Sequence, residues 1–200
     1  MASNDLNTIN VNAAFACAHA GFLRTGEFTQ KTGSDPIKLQ RRDVTFDDED
    51  RYVCIRLRQS KTDKKHEGVT ITIAAGGETC PVRLLRRLFK KHPAPKTAPL
   101  FAFTTTEGSS QGRFHRIAFL KELANRLSRQ GMEPSLYKGH SFRRGAQQDA
   151  IDNGLSEEDS MVLGRWTSNA VKLYYSHNTK RIWGLSFQQQ TGRLPPLTLQ

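Results

Sequence analysis

The sequence predicts a mixed, mainly helical α+β fold, with helices packed around a small antiparallel sheet. Three features predict it. Apolar residues recur at helical spacing in several stretches of ten or more residues. Two runs alternate strictly between apolar and polar, the signature of strands with one buried face. Glycine, proline and capping residues punctuate the chain at the ends of these stretches. The 200 residues, 36% of them hydrophobic, suffice for one packed domain.

Residues 10–23 carry small and large apolar side chains with no proline and no alternation, which reads as a buried helix ending between Gly21 and Gly26. Leu23-Arg24-Thr25-Gly26-Glu27 follows at once. An arginine and a glutamate three apart are ordinarily a surface ion pair of little energy. Val53, Ile55 and Leu57 alternate with Cys54, Arg56 and Arg58, and Val69, Ile71 and Ile73 with Thr70 and Thr72. These runs predict an antiparallel pair joined by the cationic loop Gln59–Gly68, too long for a tight turn. Val44-Thr45-Phe46 offers a third strand.

From Cys80 to Lys91, Val82, Leu85, Leu88 and Phe89 form one helical stripe, with Pro81 suited to the first turn. Arg83, Arg86, Arg87, Lys90 and Lys91 crowd the other faces, as a solvated basic helix would have them. Phe114 to Gln130 predicts an amphipathic helix with Ile117, Leu120, Leu123 and Leu127 on its apolar face. His140 to Asp152 is a further helix stopped by Gly154. Ser156-Glu157-Glu158-Asp159 is a capping start for a helix carrying Met161, Val162 and Leu163, and Ser168-Asn169 caps another through Ala170 to Tyr175. Residues 1–190 form the expected domain, and 191–200, with Pro195-Pro196, a mobile tail.

Lysine and arginine number 30 against 19 acids, a net charge of +11, which favours an anionic partner, nucleic acid first. Cys17, Cys54 and Cys80 are far apart and odd in number, so they form neither a disulfide framework nor a zinc spacing, and imply a reducing compartment. The longest apolar stretch, Val11 to Leu23, is too short to span a bilayer, so no membrane is expected as a partner.

One ordered set of residues points to chemistry. In His140-Ser141-Phe142-Arg143-Arg144-Gly145 a histidine and an arginine three apart share a helix face. Leu163-Gly164-Arg165-Trp166 follows, and its indole N–H can meet an oxygen. Tyr174 and Tyr175 lie eight and nine residues further on. This set resembles the tyrosine recombinase (phage integrase) catalytic domain, and is most similar to the eukaryotic branch found in fungal Crypton-type elements. The family also has an arginine at the end of an early helix, followed by a glutamate, and Arg24 and Glu27 fit that pattern. It has a lysine in a β-hairpin, and Lys61 of Ser60-Lys61-Thr62-Asp63 fits that.

The resemblance implies site-specific DNA recombination, cutting and rejoining strands through a covalent 3′-phosphotyrosyl link, with no metal and no cofactor. Arg24 and Arg143 would hold the phosphate that gains charge in the transition state, because guanidinium groups fit phosphate bidentately. His140 would exchange a proton or donate a hydrogen bond, Trp166 would buttress the phosphate, and Lys61 would protonate the departing 5′ oxygen. Glu27 would orient its cationic neighbours. Arg144, Arg165, Lys64 and Lys65 are candidate phosphate contacts. The nucleophile stays between two residues: the spacing of the eukaryotic type favours Tyr174, and many bacterial relatives use the position of Tyr175. Adjacent helical residues point about 100° apart, so only one of them can face the site.

The family's helical core-binding domain has no counterpart before Arg24, so it is expected to be absent. The resemblance further implies double-stranded DNA as partner, a tetramer on two sites, and an intracellular location, nuclear in a eukaryote. Two rival readings remain: a non-catalytic DNA-binding remnant of a decayed or domesticated mobile element, and a basic module for RNA or protein.

Overall fold

The computed structural model describes residues 3–58, 67–103, 114–166 and 179–194. Among them the fold is mixed α+β, with helices gathered around one three-stranded antiparallel sheet. No helix among the described residues is long and apolar enough to cross a membrane.

The centre is α1 (Ser3–Ala20). It starts earlier than its apolar run suggests. Ala13, Ala14, Cys17 and Ala18 are fully buried on it, small enough to let neighbours approach closely on all sides. Burial pushes the Cys17 thiol well above its ordinary value, so it packs as a small apolar group. The sheet is ordered β1 (Val44–Phe46), β2 (Tyr52–Leu57), β3 (Val69–Ala74), with Val53 opposite Ile73 and Ile55 opposite Ile71. Those four residues, with Leu57, turn their side chains into the main core beside α1. α3 (Pro81–Lys91) lays Val82, Leu85 and Leu88 on the same core, as its stripe predicts.

Two carboxylates secure the sheet. Asp43 accepts from Arg58 Nε at 3.0 Å and Nη2 at 2.8 Å, tying the end of β2 just before the hairpin loop. Asp47 accepts from Arg51 Nε at 2.8 Å and Nη2 at 3.0 Å. That hydrogen bonding lowers the Asp47 carboxyl to about 2. An unfolded aspartate titrates near pH ~4. The native state therefore binds fewer protons, and the contact stabilises above that pH and is lost as the pH falls toward about 2. Acid unfolding of Asp47→Asn should accordingly show a shallower loss of stability between about pH 4 and pH 2 than the native chain. Equal slopes would rule the contact out as a source of acid sensitivity.

One expectation changes. α4 (Arg116–Arg129) forms, but its core residue is Phe119, while Ile117 is 78% exposed. Ile117 sits in the first turn, where the helix axis carries it away from the rings of Phe28 and Phe142 that receive Phe119. α7 (Thr179–Thr191) reaches the expected start of the tail, and Gly192 follows it at φ 66°. The sequence reading assigns no element to α7. It docks by apolar and polar contacts: Trp183 is buried, Ile182 and Leu185 pack against the cluster that includes Phe22 and Leu163, the Ser186 hydroxyl accepts from Ala74 N at 3.0 Å, Gln190 Nε2 donates to Ala74 O at 2.9 Å, and Trp183 Nε1 donates to Arg51 O at 3.0 Å. The two contacts to Ala74 cover backbone at the outer edge of β3.

α5 (Ser141–Asp152) and α6 (Glu157–Gly164) form where expected, with the Ser156 hydroxyl accepting from Asp159 N at 3.0 Å. They build a second, smaller core of Phe22, Ala146, Ala150, Leu155 and Leu163. The seam between the two cores lies at the end of α1, because Phe22 belongs to one and Leu23 to the other.

Candidate functional site

The site is built on that seam. α1 ends with Phe22 N donating to His19 O at 3.0 Å and Leu23 N to Ala18 O at 2.9 Å. This paired closure is normally made around a glycine in the left-handed conformation. Here Phe22 takes that conformation, at φ 49°. A side chain there costs about 1 kcal/mol or more, which burial of the ring offsets.

α6 ends in the same way. Arg165 N donates to Val162 O at 3.2 Å, Trp166 N donates to Met161 O at 3.1 Å, and Arg165 is left-handed at φ 55°. The two strained helix ends face each other. The rings of Phe22 and Trp166 meet edge to face at 5.8 Å.

Charged side chains lock this junction. Arg165, 6% exposed, donates to Gly21 O at 3.0 Å, Phe22 O at 3.3 Å and Glu27 Oε2 at 3.0 Å. Arg143, 5% exposed, donates to the carbonyls of Phe22 and Gly164. Its guanidinium carbon lies 4.8 Å from the Trp166 ring centre, a cation–π contact. Glu27, in the short helix α2 (Thr25–Phe28), accepts at Oε1 from Arg24 Nη1 at 3.0 Å and at Oε2 from Arg24 N at 2.8 Å. Glu27 thus pairs with two guanidinium groups, Arg24 and Arg165, while the third, Arg143, is held by carbonyls.

His140 joins from the other side. It precedes α5 and is exposed, and its carbonyl accepts from Arg144 N at 3.1 Å. A Cβ on Gly139 would lie 2.6 Å from Thr25 Oγ1. The turn bearing His140 therefore rests directly on the residue after Arg24, and only glycine permits the approach.

Arg24, Glu27, His140, Arg143 and Trp166 are thus gathered at one junction from three regions of the chain. Arg165, expected as a candidate phosphate contact, is buried and turned inward at the left-handed end of α6. Glu27 is buried, so the pair with Arg24 is not a surface ion pair. Arg144 is exposed next to His140. Lys61, Lys64, Lys65, Tyr174 and Tyr175 lie outside the described residues. β3 passes beside the end of α1, where a Cβ on Gly21 would lie 2.9 Å from Ile73 Cδ1 and 3.1 Å from Ile71 Cδ1.

The sequence reading passes over Arg116. Its Nη2 lies 3.4 Å from where a Gly139 Cβ would be. The only signal for it in the sequence is its place at the start of a helix, since no motif surrounds it.

The chain matches no protein-family model, and no curated protein matches it.

Proposed function

We propose that this chain cuts and rejoins DNA through a phosphotyrosine intermediate, as a tyrosine-recombinase-type enzyme. One observation carries the reading: Arg143 and Trp166 pack together at the two facing helix ends, Arg24 is held beside them by the Glu27 that also binds Arg165, and the turn bearing His140 rests on Thr25. A cluster with three guanidinium groups and one carboxylate suits a reaction whose charge builds on phosphate oxygens.

In the proposed step the tyrosine oxygen attacks phosphorus, the bond to the 5′ oxygen breaks, and a 3′-phosphotyrosyl bond replaces it. His140 takes the tyrosine proton, and Lys61 supplies a proton to the departing 5′ oxygen. Arg24 holds the non-bridging oxygens, with Glu27 fixing its direction. Attack by the freed hydroxyl reverses the step and reseals a strand.

The second reading, a DNA-binding remnant without catalysis, draws on Arg143. Its two terminal nitrogens already donate to carbonyls inside the fold.

Nicked duplex substrates, which trap the covalent link because the cut fragment diffuses away, decide between them. The chain should form a DNA adduct stable to denaturant, and Tyr174→Phe should abolish it while Tyr175→Phe retains it. The reverse pattern would move the nucleophile to Tyr175. DNA binding without an adduct across a library of nicked sites would favour the remnant.

A further inference from the structure

We propose that Arg116 is a DNA-phosphate-binding residue of this junction, a further cation beside Arg24. The proposal rests on the strand-cutting reading for its choice of ligand, and on its own geometry for the site.

The start of α4 is held from three sides. Arg116 N donates to Gln30 O at 2.8 Å, and Gln30 N donates to Phe114 O at 3.1 Å, so the residues just after α2 pair with those just before α4. Phe119, one turn along α4, is fully buried between Phe28 of α2 at 5.1 Å and Phe142 of α5 at 5.6 Å. The backbone of Arg116 is therefore fixed to both elements that carry the candidate residues. Its guanidinium reaches Gly139, the residue before His140, on the side where Gly139 meets Thr25.

The side chain is half-buried, and among the described residues no carboxylate pairs with it. Its fellow arginines differ: Arg24 and Arg165 share Glu27, and Arg126 has Glu122 at 2.8 Å. Neither α4 nor α5 carries an acid in its first turn, so the positive ends of both helices add to the potential. A pinned, partly desolvated cation among like charges is stabilised when an anion completes it. A phosphodiester oxygen matches the guanidinium's planar donors, and a polyanion supplies several such groups in a row.

The test is binding of Arg116→Gln and Arg116→Lys to a fluorescent nicked duplex across a salt series, with thermal melting to check the fold. Arg116→Gln should bind about tenfold more weakly. The slope of log affinity against log salt should flatten by about 0.9, the share of one phosphate contact. Arg116→Lys should recover the slope, because a lysine keeps the charge, and part of the affinity. Weaker binding with an unchanged slope would mark the loss as structural and overturn the proposal, as would unchanged binding. The strand-cutting reading is scored separately on the adduct. A chain that forms no adduct but loses the slope in Arg116→Gln keeps this phosphate contact and loses the chemistry. An adduct with no dependence on Arg116 does the opposite.

Discussion

Glu27→Ala is expected to destabilise the chain by about 3–5 kcal/mol, the range for removing one partner of a buried ion pair. Glu27 is 6% exposed, and its oxygens accept from Arg24 N, Arg24 Nη1 and Arg165 Nη2. Its loss leaves Arg165, itself 6% exposed, without that carboxylate in the interior, though its contacts to Gly21 O and Phe22 O remain. That cost exceeds the value of the hydrogen bond alone, because neutral carbonyls offset the lost hydration of a buried cation less than a carboxylate does. The whole fold is worth only about 5–15 kcal/mol, so the variant should unfold at a much lower urea concentration with an unchanged slope. Glu27→Gln retains acceptor capacity and should cost less. The double variant Glu27→Leu with Arg165→Leu provides the sharper control. Removing both charges together should recover part of the stability, since an apolar pair of similar volume needs no desolvation. A cost below about 1 kcal/mol for Glu27→Ala would class the contact with exposed ion pairs and remove the keystone from the junction.

That keystone explains which parts of the molecule can be read from the sequence. The alternation of Val53, Ile55 and Leu57 against Val69, Ile71 and Ile73 is a local signal, and the sheet follows it residue by residue. The stripe on α3 and the cap at Ser156 are equally local. Arg24 and His140 could be singled out because their types and order suggest chemistry. Arg165 could not be placed. An arginine in sequence reads as a surface residue, and its carboxylate partner is 138 positions away. Its inward turn depends on a left-handed residue at the end of α6, where the usual glycine sits one position too early, at Gly164. The same displacement hides Phe22, which follows Gly21. α7 is hard to read because its few apolar contacts, Ile182, Trp183 and Leu185, crowd its first half, while the second half docks through Ser186 and Gln190 on backbone groups. Ile117 illustrates the converse: an apolar residue on a helical stripe stays outside when the helix presents Phe119 and Leu120 to the core instead.

Gly164→Ala carries the second large effect, and it tests the site more directly. A Cβ at this position would lie 2.0 Å from Trp166 Cζ3 and 2.1 Å from Cε3, inside the ring's own volume. No small adjustment relieves such an overlap, so the indole must leave its place. With it go the edge contact to Phe22 and the cation–π contact to Arg143. Overpacking a tight site typically costs about 1–3 kcal/mol, and this overlap belongs at the top of that range. Alanine's better helix propensity returns about 1 kcal/mol, leaving a net loss of about 2 kcal/mol. A double-mutant cycle isolates the cause. In a Trp166→Ala background the obstacle is gone, so Gly164→Ala should become neutral or stabilising, with a coupling of about 2–3 kcal/mol between the two positions. A cost that persists without the indole would show that Gly164 is required by the backbone. Fluorescence supplies an independent reading, because the chain has two tryptophans. With Trp183→Phe as the background, emission from Trp166 should shift to the red in Gly164→Ala as the ring moves from a half-buried site into water. If adduct formation falls with that shift while DNA binding holds, the indole is needed for the chemical step, and its place beneath Arg143 is what Gly164 protects.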